Sequence, residues 1–231
     1  MYRCVICRVE APGWFDQCPG CGRWSTCAEL AKTAGRALPW LSDIAPGKDL
    51  RLHLREDWDE VLGGGAPPGS VVLVSGMPGA GKTTDLLELA ARVGTRRAPS
   101  LYLSSERSLA ELAAHARAAK IDVSTVKTAQ VRELGEALEL ASSSSWALAA
   151  LDSWSALDGA EPDDLELVRA AGLPVFFVIC HATKEESVAG AERLVHRADA
   201  LVWVEPELLR AEKNWHGPQG LEVRRTAPSF S

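Results

Sequence analysis

Apolar residues along this chain fall into short continuous runs, separated by longer stretches in which they recur at helical spacing. Val71-Val72-Leu73-Val74 is the densest run, and others span Ser100 to Ser104, Trp146 to Leu151, Val175 to Cys180 and Ala200 to Val204. Runs of that length, apolar at successive positions, read as strands buried on both faces. Helices are expected at Thr83 to about Val93, Leu109 to Ala119, Val131 to Ala141, Asp163 to Ala171 and Ala191 to His196. Strands alternating with helices predict an α/β fold with a mainly parallel sheet covered on both sides. Ligands on such sheets bind beyond the carboxyl ends of the strands, so polar residues there are the first candidates for function.

The same pattern divides the chain. Residues 1–27 carry paired cysteines, and residues 28–55 show no sustained periodicity and include Gly35, Pro39, Pro46 and Gly47, so they are expected to form a linker. The core is expected over 56–217, opening at Trp58-Asp59-Glu60-Val61-Leu62-Gly63-Gly64-Gly65, where Trp58 and Leu62 are spaced to pack a short helix onto the sheet. Residues 218–231, with Arg224 and Arg225, are expected as a disordered C-terminal tail.

Composition narrows the classes. The 231 residues, 46% hydrophobic and 24% charged, suffice for one α/β core with a small appendage. A net charge of −6 argues against a uniformly basic nucleic-acid binder but leaves a local basic surface open. No apolar run approaches the roughly 20 residues of a membrane helix. Cys4 and Cys7 stand where a signal peptide would carry its apolar segment, so a cytoplasmic protein without membrane contact is expected.

The first strand runs into Gly76-Met77-Pro78-Gly79-Ala80-Gly81-Lys82-Thr83-Thr84. Glycines let backbone N–H groups turn toward one point, and the following helix aims its positive dipole end at the same place. That is a phosphate site for ATP, in which Lys82 reaches the β- and γ-phosphates and Thr83 ligates Mg²⁺.

Three further strand ends carry candidate chemistry. Asp152 fits the acidic residue that holds Mg²⁺, directly or through water, although a helix cap would look the same. Glu106, in Ser104-Ser105-Glu106, is placed to orient and deprotonate an attacking water, or else to cap the helix near Ser108. His181-Ala182-Thr183-Lys184 would bring His181 and Lys184 to the γ-phosphate, with a plain surface loop as the alternative.

Cys4-x2-Cys7 and Cys18-x2-Cys21 have the spacing of two zinc knuckles, and a segment this small needs a staple in order to fold. Disulfides are the alternative, disfavoured in a reducing compartment. Cys27 and Cys180 receive no role. Trp14 and Trp24 are expected to cover the ribbon's small core, with base stacking as the other possibility.

Together, Cys4-Val5-Ile6-Cys7, Cys18-Pro19-Gly20-Cys21, Trp58 to Gly65, the phosphate loop, Tyr102 to Glu106, Leu151-Asp152-Ser153, His181 to Lys184 and Lys213-Asn214 resemble the RadA (Sms) family of bacterial RecA-like ATPases. The resemblance implies a RecA-like P-loop ATP hydrolase behind a zinc ribbon. It also implies binding of single-stranded or branched DNA, assembly into a homo-oligomeric ring, and work in recombination and repair. Lys213 would lie near a nucleotide, and Trp215 stands where the family's motif has an arginine that reaches a neighbouring subunit, so DNA-stimulated turnover is expected to be weak. The family's Lon-protease-like domain has no counterpart after Gly217, so a shortened form is expected. A slow or inactive adaptor that binds ATP and zinc is the alternative.

Overall fold

Strand and helix alternate from about residue 70 onward because consecutive apolar positions demand burial on two faces, and helices supply the cover. The computed structural model describes residues 1–29, 40–43, 50–170, 172, 175–181 and 192–226. The chain forms two compact units, Met1–Lys48 and Asp49–Ser231.

In the first unit, β1 (Tyr2–Cys4), β2 (Glu10–Ala11) and β3 (Cys27–Glu29) make an antiparallel sheet in the order β2-β1-β3. Strands so short bury almost nothing apolar: among the described residues of this unit only Cys4, Cys18 and Thr26 are buried. Trp14 and Trp24 are 62% and 67% exposed, so neither forms the expected cover, although Trp14 meets Tyr2 edge-on at 5.8 Å.

The second unit opens with α1 (Glu56–Val61) and builds an eight-stranded sheet from β4 (Ser70–Ser75), β5 (Ser100–Ser104), β6 (Val126–Gln130), β7 (Ala149–Asp152), β8 (Val175–Ile179), β9 (Ala200–Val204), β10 (Leu208–Asn214) and β11 (Glu222–Arg224). The order is β11-β10-β9-β4-β8-β7-β5-β6, parallel from β9 to β6 and antiparallel at β10 and β11. Alternate side chains of each strand point to opposite faces. Val72 and Val74 therefore pack with α1, α2 (Lys82–Val93) and α3 (Leu109–Ala118), while Val71 and Leu73 pack with α4 (Leu134–Ser142), α5 (Leu165–Ala170) and α6 (Glu192–Arg197).

Three strands lack the continuous apolar runs of the others. β6 has no fully buried residue, and β10 and β11 bury only alternate positions such as Leu209, Ala211 and Val223, as strands at a sheet margin do. β11 lies in the segment expected as a tail, and Leu54 and Arg55, expected in the linker, are buried in this unit; most of that linker lies outside the described residues.

Candidate phosphate cleft and cysteine cluster

β4 delivers the chain to its carboxyl end and into the loop before α2. Gly76, Gly79 and Gly81 have φ of 144°, 84° and 91°, and a Cβ on Gly76 would lie 2.2 Å from the Val204 carbonyl oxygen. Only glycine meets both demands at position 76. The Lys82 ammonium donates to the carbonyls of Gly76 at 2.7 Å and Met77 at 3.0 Å, folded over the loop it would share with a phosphate chain. Burial holds Lys82 below the ordinary lysine range, against the opposing charges of Asp152 and Glu106.

The end of β7 faces this loop. Asp152 Oδ2 accepts from the Thr83 hydroxyl at 2.8 Å and from the buried Tyr102 hydroxyl at 2.9 Å. Burial, reinforced by Asp152, pushes the Tyr102 phenol well up, so Tyr102 stays a neutral donor that orients the carboxylate. Thr83 and Asp152 thus adjoin, a hydroxyl and a carboxylate of the hard-oxygen type that Mg²⁺ takes. The residues present fit Mg²⁺ and a triphosphate.

Glu106 stands at the carboxyl end of β5. Its Oε1 lies 2.5 Å from His181 Nε2, and the Ser153 hydroxyl donates to the same oxygen. The cap of α3 is Ser108, whose reciprocal bonds with Glu111 complete a capping box. Glu106 is therefore not the helix cap that the sequence left open. Lys82, Thr83, Glu106, Asp152 and His181 line one cleft of about 320 Å³. His115, which local sequence did not single out, joins them, with Nε2 3.0 Å from the Thr84 hydroxyl. A cavity of about 360 Å³ lined by Glu88, Arg92, Lys120 and Asp122 lies further along α2 and holds none of these groups.

Two further nucleotide contacts were expected, at Lys184 and Lys213. Lys184 lies outside the described residues. Lys213 donates to the carbonyls of Val195, His196 and Ala198 at 2.8, 2.9 and 2.6 Å, so its ammonium caps the C-terminal end of α6. It also sits 4.3 Å from the Trp215 ring centroid. Asn214 pairs with Ala200 at the start of β9, so Lys213 and Trp215 occupy the end of the sheet opposite the phosphate loop. Within one chain, Lys213 does not reach the nucleotide site.

In the first unit the four Sγ atoms of Cys4, Cys7, Cys18 and Cys21 lie within 4.8 Å of one another. Cys4–Cys21 and Cys7–Cys18 are separated by 3.8 and 3.5 Å, near the ~3.8 Å edge of a tetrahedron with Zn–S bonds of about 2.3 Å, and all are free thiols. Each pair closes a matching turn: Arg8 N donates to Cys4 O and Gly22 N to Cys18 O, with φ of 64° at Arg8 and 69° at Gly22. Backbone N–H groups of Ile6 and Gly20 point at Cys4 and Cys18 Sγ. The Thr26 hydroxyl, aided by backbone N–H groups, pulls the Cys4 thiol down to about 6. The cluster can hold zinc.

A family model described as ATPase: KaiC matches residues 56–146. The DNA repair protein RadA of Bacillus subtilis (strain 168) is 28% identical over 93% of this chain and 55% of its own length, and that of Pseudomonas aeruginosa is 30% identical over 94% and 55%. The chain is RadA-like. The RadA protein of Mycobacterium tuberculosis (strain H37Rv) repeats the match at 30% identity over 94% of this chain and 52% of its own length. This RadA-like chain thus spans about half the length of those relatives. The flagellar accessory protein FlaH from Methanocaldococcus jannaschii superposes with a TM-score of 0.57 at 17% identity, covering 75% of this chain and 92% of FlaH. That likeness concerns the fold alone. No described helix is long and apolar enough to cross a membrane.

Proposed function

We propose that the second unit binds ATP with Mg²⁺ and hydrolyses it, and that the chain acts on single-stranded or branched DNA in recombination or repair, as a cytoplasmic homo-oligomer. The observation that carries the catalytic part is the convergence of Lys82, the Thr83–Asp152 pair and Glu106 on one cleft. The loop from Gly76 to Thr84 takes the phosphates, and Lys82 exchanges its two loop carbonyls for β- and γ-oxygens. Thr83 and Asp152 would hold Mg²⁺, which supplies positive charge to those oxygens. Glu106 accepts a proton from water as the water oxygen bonds to the γ-phosphorus, and the breaking bond leaves its electrons on the β-phosphate oxygen. His181 and Ser153 fix the Glu106 carboxylate for that step.

The DNA part rests on the RadA relatives, each called a DNA repair protein. The four-cysteine ribbon is assigned to zinc and to a structural role. Steady-state ATPase measurement with and without single-stranded DNA tests the whole; no turnover under either condition refutes hydrolysis, and turnover indifferent to DNA refutes the DNA-stimulated form.

A second reading, an ATP- and zinc-binding adaptor with slow hydrolysis, draws on one observation: position 215 offers an exposed indole, and Lys213 is committed to α6. Nucleotide binding without turnover would favour it.

A further inference from the structure

The cleft contains one cation that the hydrolysis above leaves unused. Arg107 lines it beside Lys82, Thr84, His115 and Asp152. Its backbone is clamped from both sides, since Arg107 N donates to Ser104 Oγ at 3.1 Å and that hydroxyl donates to Arg107 O at 2.9 Å. The next residue, Ser108, is fixed by the capping box of α3. Anchored in this way, Arg107 still has an exposed side chain, and among the described residues its guanidinium makes no hydrogen bond or ion pair. Arg55 and Arg225, by contrast, are both committed to buried carboxylates. The charge of Arg107 is felt inside the cleft, where, after burial, it is the next cause holding His115 below the ordinary histidine range.

A triphosphate brings about four negative charges, and the loop offers one committed lysine to meet them. A guanidinium with no partner among the described residues, on a clamped backbone and one residue beyond the carboxylate assigned to the attacking water, has the planar donor fork that a transferring phosphoryl group recruits. We propose that Arg107 is a catalytic residue that binds the γ-phosphate of ATP from within the same chain. It stabilises the charge that gathers on the γ-oxygens as the bond from water forms and the bond to the β-phosphate oxygen breaks, while the proton goes to Glu106. The role rests on the ATPase reading of this cleft. It also means that position 215 need not supply an arginine from a neighbour for turnover to occur.

The test uses the full chain with Arg107→Ala, Arg107→Lys and Lys82→Ala, following turnover and the affinities for ADP and a non-hydrolysable ATP analogue. Arg107→Ala is expected to lose about 10²- to 10³-fold in kcat and to bind the analogue more weakly, while ADP affinity stays within about twofold. Arg107→Lys should recover part of the loss. Mixing Arg107→Ala, which can bind ATP, with Lys82→Ala, which retains Arg107, should restore no activity. Parent-like kcat in Arg107→Ala overturns the proposal, as does an equal fall in ADP and analogue affinity, which would mark a structural loop residue. Recovery of activity on mixing overturns action within one chain. Turnover lost in Lys82→Ala but kept in Arg107→Ala refutes the arginine's role alone, whereas absence of turnover in the parent refutes the ATPase reading together with it.

Discussion

Arg225 Nη2 lies 2.9 Å from Asp85 Oδ2, joining the residue after β11 to the first turn of the phosphate-loop helix. The same guanidinium donates to the carbonyls of Ala80 at 2.5 Å and Gly81 at 3.2 Å, so it braces the loop from behind. Arg55 meets Asp85 from the other side at 2.9 Å and also binds Asp57. Burial pushes the Asp85 carboxyl up, and the two arginines oppose that push. Removing one partner of a buried pair leaves the other uncompensated. Arg225→Ala should therefore cost about 3–5 kcal/mol of stability and weaken ATP and ADP binding alike. Denaturant unfolding and nucleotide titration check both effects; unchanged values would mean that the brace is not needed.

Lys82→Ala removes the ammonium that spans the loop but opens no core cavity, because among the described residues that side chain hydrogen-bonds only to loop carbonyls. ATP binding and turnover should be abolished while the unfolding midpoint stays close to the parent's. Preserved ATP affinity would exclude this loop as the phosphate site.

Glu106→Gln keeps the shape of the side chain beside His181 and Ser153 and removes its ability to take a proton. Turnover should fall by about 10²- to 10⁴-fold with ATP affinity retained. A parallel loss of affinity would assign Glu106 to binding rather than to proton transfer.

Zinc removal should act locally. Apparent zinc binding at such sites is worth roughly 10–16 kcal/mol, and the ribbon buries little else. Chelation is expected to unfold the ribbon while the second unit, which has its own apolar cores on both sheet faces, keeps its melting transition. Calorimetry with and without chelator, alongside metal analysis, decides it: loss of the core transition, or less than about one zinc per chain, would refute the assignment.

Burial, with Arg107 as the next cause, holds His115 below its ordinary value of 6.5. The unfolded chain then binds the proton more tightly, so this group costs stability as pH falls from about 6.5 through the folded value. The parent should lose more stability than His115→Gln between about pH 7 and pH 5.5. Equal losses in thermal melts across that range would place the titration elsewhere.

Two kinds of information separate cleanly here. The phosphate loop and the cysteine pairs were legible in the sequence because their chemistry is local: Gly76 to Thr84 set their own turn, and each Cys-x2-Cys closes one knuckle. The buried strands were legible too, since both of their faces must be apolar. What tertiary structure alone decided involves partners far apart in the chain or strands with one covered face. Arg225 meets Asp85, Tyr102 orients Asp152, and His115 reaches Thr84, none of which a local period encodes. β10 and β11 alternate buried and exposed positions because a sheet margin leaves one side to solvent, and β6, the strand at the other edge, buries no residue fully. Lys213 was expected near a nucleotide from the resemblance, yet it donates to three carbonyls of a helix end that only the folded sheet brings within its reach.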